Sequence, residues 1–159
     1  MRGVYRANYR ISGVTTAKTL LYITVPSTIV VDLLSGSVTN ESSETNEQIL
    51  CVLQRVTTLG TPTATTITPT KSEKGDQSAA STVKANVTAS EPTYGAIAQG
   101  AGIVDVDGCV GVPSLSGWFY SPTPEERQTI APGDTWGIRL VNTIASADLC
   151  IQLNFQERG

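Results

Sequence analysis

Histidine is absent from the 159 residues of this sequence, and charged residues make up only 16% of them. Without histidine the chain has no Ser-His-Asp triad, no Cys-His pair and no histidine-bearing metal site, which removes the common hydrolase mechanisms. Long apolar runs are also missing, both the run of about 18 residues of a transmembrane helix and the shorter run of a secretory leader. We therefore expect a protein that is made in the cytoplasm, stays soluble and has no membrane partner.

The charge pattern argues against a nucleic-acid partner. The net charge is −3, and the 11 lysine and arginine residues are scattered along the chain. A nucleic-acid surface needs a cluster of cations that neutralises several phosphates. The sequence therefore predicts that the protein does not bind nucleic acid.

The cysteines Cys51, Cys109 and Cys150 lie far apart and have no C-x-x-C spacing. Since no histidine is available to complete a ligand set, they do not indicate a zinc site. We expect buried or interfacial free thiols, because cysteine often behaves as a small apolar residue. A disulfide bond between Cys51 and Cys150 is the alternative if their strands are neighbours.

Apolar and polar residues alternate with a period of two along much of the chain, whereas helical periods do not recur. The predicted strands are 4–11, 18–25, 29–38, 49–56, 83–88, 103–106, 117–121, 135–141 and 148–155. Such strands, separated by turns and without helices between them, predict an all-β fold with two packed antiparallel sheets. We predict a single β-sandwich domain over 1–159, of the jelly-roll kind.

A Thr- and Pro-rich segment, 57–82, separates two of the predicted strands. It is too long for a tight turn, and loops of this length are commonly functional or disordered. We interpret it as an extended arm or long surface loop that is able to lie against a neighbouring subunit. A flexible insertion is the alternative.

Two segments that contain glycine are predicted to form turns. In APGDTW, Pro132 and Gly133 suit the central positions of a type II turn. The segment 105–108, DVDG, begins like a calcium loop, but the residues after it lack the later oxygen ligands. A β-turn with Gly108 at positive φ is therefore favoured over a metal site.

Two arrangements in the sequence need no histidine for catalysis. A Ser-Lys pair such as Ser78 with Lys74 lies in a very polar segment, which keeps the ammonium group charged. The adjacent carboxylates Glu125 and Glu126 point apart in a strand, so they are poorly placed to flank one glycosidic bond. We therefore predict a protein that is not an enzyme and holds no cofactor or metal.

The segment PTPEER, 122–127, is predicted to be structural or interfacial. Proline fixes the approach of the chain, and a glutamate near the start of a helical turn stabilises the exposed N–H groups there. Arg127 is expected to pair with Glu125 or Glu126, or with a carboxylate of a partner protein.

The consecutive residues Trp118, Phe119 and Tyr120 form the aromatic cluster of the chain. Side chains alternate across a strand, so Trp118 and Tyr120 share one face and Phe119 takes the other. At least one large ring therefore points away from the core. Because exposed aromatic residues beside arginine are typical of protein interfaces, all three are interface candidates. Cover by a loop of the same subunit and a sugar-stacking platform are the alternatives.

Several motifs, spread over nearly the whole chain, resemble those of small virion proteins encoded by tailed bacteriophages and prophages. They are V-Y-x-A-x-Y at 4–9, a Pro-bearing turn with V-V-x-L-L at 25–34, G-D-x-x-A-A at 75–80, G-W-x-Y-x-P-x-P-E-E-R at 117–127 and F-x-E-x-G at 155–159. The P-E-E-R region and the ending are the more specific of these motifs.

The resemblance implies a capsid decoration, or cement, protein. Such a protein is a β-sandwich, often trimeric, that binds the outside of an icosahedral shell where major capsid subunits meet, so the virion surface is the implied location. Arg6 and Arg10 on the exposed face of the first strand, together with 57–82, then become candidates for contacts with the shell. The alternative functions are a receptor- or carbohydrate-binding β-sandwich of a tail fibre or baseplate and, third, a glycan-acting enzyme.

Overall fold

A computed structural model describes residues 2–42, 48–95, 106–113 and 117–159, the third range by its backbone alone. These ranges are all β and contain no helix, which confirms the predicted fold class. The strands are β1 Gly3–Val14, β2 Lys18–Thr24, β3 Val30–Asn40, β4 Gln48–Thr58, β5 Thr63–Ile67, β6 Thr70–Lys71, β7 Thr82–Ala89, β8 Thr93–Tyr94, β9 Val106–Pro113, β10 Trp118–Tyr120, β11 Thr129–Ile130, β12 Thr135–Leu140 and β13 Ala147–Arg158.

Two antiparallel sheets form the sandwich. Sheet A has the spatial order β10-β3-β13-β1-β6, with β11 also beside β3. Sheet B has the order β5-β7-β2-β12-β4-β8, with β9 also beside β4. The four strands β10-β3-β13-β1 thus face the four strands β2-β12-β4-β9, and this is the strand order of a jelly roll.

Alternation along the strands decides which side chains enter the core between the sheets. In β13, Leu149, Ile151, Leu153 and Phe155 are all buried, while the residues between them are partly exposed, as the pattern predicted. Both faces of β2 and β4 are largely buried. Tyr22, Val52 and Val87 are buried outside the main core cluster, and Tyr94 packs on the outer face of sheet B at Gly137. The apolar core is therefore continuous between the sheets and has a second, smaller layer outside sheet B.

Two predicted turns have different outcomes. The type II turn is confirmed: Gly133 has φ +84°, and the Asp134 N–H donates to the Ala131 carbonyl over 3.1 Å. The turn at Gly108 is wrong, because this residue lies within β9, where the pairing with β4 shifts its register. The strand predicted at 103–106 lies outside the described residues except for its last residue, where β9 begins.

The segment 57–82 lies against its own subunit and crosses the open side of the sandwich. Its strand β5 pairs with β7 at the edge of sheet B, and its strand β6 pairs with β1 in sheet A. Ile67 and Ala79 pack against the core with partly buried side chains. The segment is therefore a long surface loop that ties the two sheets together, and we call it the strap.

A buried carboxylate fastens the returning end of the strap. Glu157 is fully buried, and its oxygens accept hydrogen bonds from the backbone N–H groups of Ala80 and Ser81 at 2.8–3.0 Å. The Arg2 guanidinium donates to the same carboxylate over 3.2 Å. Charge-assisted bonds of this kind are stronger than neutral ones. The sequence motifs G-D-x-x-A-A and F-x-E-x-G thus meet at one contact.

Close packing around Gly3 supports this fastening. Gly3 has φ +146°, and a Cβ atom there would lie 2.5 Å from the carboxylate of Asp76. The Tyr5 hydroxyl nearby donates to the carbonyl of Gln77 over 2.9 Å. Burial and the negative charge of Glu157 raise the pKa of Tyr5, so this hydroxyl keeps its proton and stays a donor.

Candidate functional site

The aromatic cluster divides between the core and the surface. Trp118 and Tyr120 are buried, and their rings stack with 6.4 Å between centroids, whereas Phe119 is 63% exposed. Gly36 lies beneath the indole, since a Cβ atom there would be 3.3 Å from Trp118. Of the three interface candidates, only Phe119 is accessible on this chain, and no loop of the described residues covers it.

Phe119 belongs to the outer face of sheet A, which is otherwise polar. Phe119, Ser37, Gln152 and Asn8 lie directly opposite one another in a row across four strands. The side chains that alternate outward in this sheet form a surface that we call the polar face: Arg6, Asn8, Arg10, Ser35, Ser37, Thr39, Phe119, Cys150, Gln152 and Asn154. Two candidate arginines and the exposed ring are thereby brought to one surface.

Hydrogen bonds between side chains fix the middle of the polar face. The Arg6 Nε donates to Asn154 Oδ1 over 3.0 Å, and Asn154 Nδ2 donates to Ser35 Oγ over 2.7 Å. This chain of bonds spans β1, β13 and β3, so it restrains three side chains before any partner binds. Arg6 has no carboxylate partner among the described residues, and it therefore leaves an uncompensated positive charge on this face.

Ion pairs mark the two ends of sheet A's outer surface. Arg10 pairs with Glu41 and, over 3.3 Å, with Asp148. At the other end Arg158 pairs with Asp32 over 2.6 Å. Exposed pairs of this kind contribute about 0–1 kcal/mol each, so they orient side chains more than they stabilise the fold.

The PTPEER segment lies between β10 and β11, which both pair with β3. Glu125 and Glu126 are exposed, and Glu126 accepts a hydrogen bond from the Thr123 hydroxyl over 3.0 Å. Arg127 is partly buried and forms an ion pair with neither glutamate, so the predicted pairing within the segment is wrong. Its pairing with a carboxylate of a partner protein stays a prediction. Its Nε has no hydrogen-bond partner in the described part of the chain.

A second polar cluster lies outside sheet B and was not found from the sequence. Glu91 accepts bonds from the N–H and hydroxyl of Thr19 at 3.0 and 2.6 Å, and that hydroxyl lies 2.8 Å from the Tyr94 hydroxyl. The Arg139 guanidinium stacks on the Tyr94 ring at 4.6 Å. Gly137 makes room for this ring, since a Cβ atom there would be 2.5 Å from its hydroxyl.

The chemistry of this second cluster is structural. Burial raises the pKa of Tyr94 to about 12, so the phenol is protonated at neutral pH and provides no base. The Thr19 N–H and hydroxyl, the Glu91 Oε2 atom and the Tyr94 hydroxyl all have hydrogen-bond partners within the cluster. Its role is to hold Tyr94 against the outer face of sheet B.

The two cysteines whose side chains are described are free and lie in different sheets. Cys51 points into the core from sheet B, and burial raises the pKa of its thiol to about 12. Cys150 is partly exposed on the polar face of sheet A. The bridge between them that the sequence left open is therefore not formed, and the Cys109 side chain lies outside the described atoms.

Within the described ranges, no group of three or more Cys, Asp or Glu side chains is arranged to hold a metal ion. The same ranges contain no helix that is long and apolar enough to span a membrane. Comparisons with protein-family models, curated proteins and solved structures gave no match.

Proposed function

We propose that this protein is a non-enzymatic structural protein of a tailed-bacteriophage virion. In this role it is a decoration protein that binds the outside of the major capsid protein lattice as a homotrimer and stabilises the shell. The observation that carries the proposal is the polar face, where one exposed aromatic ring lies among polar side chains, three of which are joined by hydrogen bonds. The virion partner follows from the resemblance of the sequence motifs.

The chemistry of the polar face supports protein contact. Interfaces are enriched in aromatic residues and arginine and are poor in lysine and glutamate, and this face carries Phe119, Arg6 and Arg10 but no lysine. Phe119 is the exposed large apolar side chain of the described residues. A ring of this kind, surrounded by polar groups, has the arrangement of an interface hot spot.

The size of the polar face supports binding through several copies. The face uses about five residues on each of three strands and the three residues of β10, and with strands about 4.8 Å apart this gives an area of roughly 300 Å². A stable one-to-one interface buries about 800 Å² on each partner. One copy therefore offers a modest contact, and three linked copies raise the avidity by a factor on the order of 10²–10⁴.

The copy number of the protein in purified virions tests this function. We expect quantitative mass spectrometry to give a ratio to the major capsid protein near one, or a simple fraction of one. Particles without the protein are expected to release their DNA at a lower temperature. A ratio near one hundredth, with loss of adsorption on deletion, would reject the shell location and favour the receptor- or carbohydrate-binding tail protein.

A further inference from the structure

The outer edge of β1 is open over much of its length. Its backbone groups at Val4 and Arg6 point away from β13 and meet the strap: the Ser72 N–H donates to the Val4 carbonyl over 2.8 Å, and the Thr70 hydroxyl donates to the Arg6 carbonyl over 3.1 Å. The strap pairs with β1 only at positions 5 and 6. Pro69 lies just before β6, in the short link where the chain crosses from β5 in sheet B to β6 in sheet A.

The next outward-pointing backbone groups have no strand beside them. Because the direction alternates along a strand, the N–H and carbonyl groups of Asn8, Arg10 and Ser12 point to the same side as those of Val4 and Arg6. Among the described residues no strand pairs with β1 at these positions on that side, and all three residues are exposed. Proteins usually cover or block an edge of this kind.

A surface groove of about 410 Å³ runs along this edge. It is lined by the second half of β1, by the turn that follows, and by Lys18 and Asn86 of sheet B. Lys18 donates to the Asn86 amide oxygen over 2.7 Å and has no carboxylate partner in the described ranges. An extended segment in this groove would continue sheet A in line with β6.

The charges around the groove indicate which chain fits it. Arg10 in the groove is already paired with carboxylates, whereas Lys18 in the groove and Arg6, two residues before Asn8, have only amide partners. These two cations favour an occupant with acidic side chains. A second copy of β1 is a poor occupant, because residues 3–14 carry two arginines and no acidic side chain to match these cations.

From this geometry we infer that the edge of β1 at Asn8, Arg10 and Ser12 is a strand-addition site. Its occupant is an extended, acidic segment of the shell subunit, which pairs through its backbone. The site borders the polar face, so one partner contacts both surfaces. This inference rests on the proposed function and adds the way in which the partner is held.

Hydrogen exchange on bound and free protein tests the inference. The probe is the capsid of a phage from which the gene for this protein has been deleted, mixed with purified protein. The amides of Asn8, Arg10 and Ser12 are expected to exchange rapidly in the free protein and at least tenfold more slowly on the capsid. The exposed turn amides of Ser27 and Thr28, which lie outside the groove, are the control and should stay fast.

A backbone substitution gives a second readout. Asn8→Pro removes an N–H that faces away from β13, a position where an edge strand tolerates proline. Asn8→Ala keeps this N–H and loses the same amide side chain. We expect the proline variant to bind the capsid about 10- to 100-fold more weakly than the alanine variant, because a carbonyl of the partner loses its donor.

The outcomes separate the two proposals. If wild-type protein does not bind the capsid, the proposed function fails and the strand-addition site fails with it. If wild-type protein binds but the three amides stay fast, or the proline and alanine variants bind equally, only the strand-addition site is overturned. Slow exchange of these amides in free protein at high concentration would identify a second copy as the occupant and overturn the acidic partner. If Asn8→Pro does not fold, the exchange measurement on wild-type protein decides.

Discussion

Replacing Phe119 by alanine should separate binding from folding. The ring is 63% exposed and does not belong to the core, so its removal leaves the packing between the sheets unchanged. Exposed substitutions of this kind usually change stability by less than about 0.5 kcal/mol. Trp118→Ala is the contrast, since deletion of a fully buried tryptophan costs about 3–5 kcal/mol.

The expected loss of binding follows from the exposed area. A phenylalanine side chain has roughly 200 Å² to bury, and 63% of this is about 125 Å². At about 25 cal/mol per Å², complete cover by a partner contributes about 3 kcal/mol. Partial cover lowers this to about 2 kcal/mol, so Phe119→Ala should weaken each contact about 30- to 150-fold.

Binding to capsids that lack the protein measures the effect. Bound copies are counted over a series of protein concentrations, and the melting temperature of each free variant is recorded. Phe119→Leu, which keeps part of the apolar area, is expected to fall between wild type and Phe119→Ala. The assignment of Phe119 as a surface anchor would be refuted if Phe119→Ala reached half-saturation at the same protein concentration as wild type. It would also be refuted if the melting temperature of Phe119→Ala fell as far as that of Trp118→Ala.

The remaining predictions concern the strap, the second polar cluster and the thiols. Glu157→Gln should lower the melting temperature by about 6–12 °C, since loss of a buried charged acceptor costs about 3 kcal/mol, whereas the exposed Glu73→Gln should change it by less than about 2 °C. The pKa of Tyr94 is raised by folding, so the free energy of unfolding should fall as the pH rises from 10.0 to about 12, and Tyr94→Phe should weaken this dependence in alkaline denaturation. At pH 8 an alkylating reagent should modify Cys150 more slowly than an unshielded thiol, because burial and the charge of Glu41 raise the pKa of Cys150. The same reagent should leave the buried Cys51 unmodified until the protein unfolds. Equal rates for the two thiols in native protein would contradict their placement.

The sequence predicted much of the fold because period-two alternation is a local signal. The apolar residues of β13 and the glycine of the 131–134 turn were assigned from their neighbours alone. The turn predicted at Gly108 failed for the same reason: a short Gly-containing segment is read as a turn locally, while pairing with β4 keeps it in a strand.

Alternation also limited what the sequence could say about the candidate site. It separated Phe119 from its two aromatic neighbours, but it does not state which face of the strand is covered. The position of β10 beside β3, with Gly36 beneath the indole, decided that Trp118 enters the core.

The sequence by itself determined the all-β class and the side of each strand on which the apolar residues lie, because both depend on residues next to one another in the chain. Only the tertiary structure decided that Glu157 fastens the strap at Ala80 and Ser81, and that β1 has an open edge after Arg6. These features depend on strand pairing between distant parts of the chain. That pairing results from packing the whole sandwich, so no local pattern contains it.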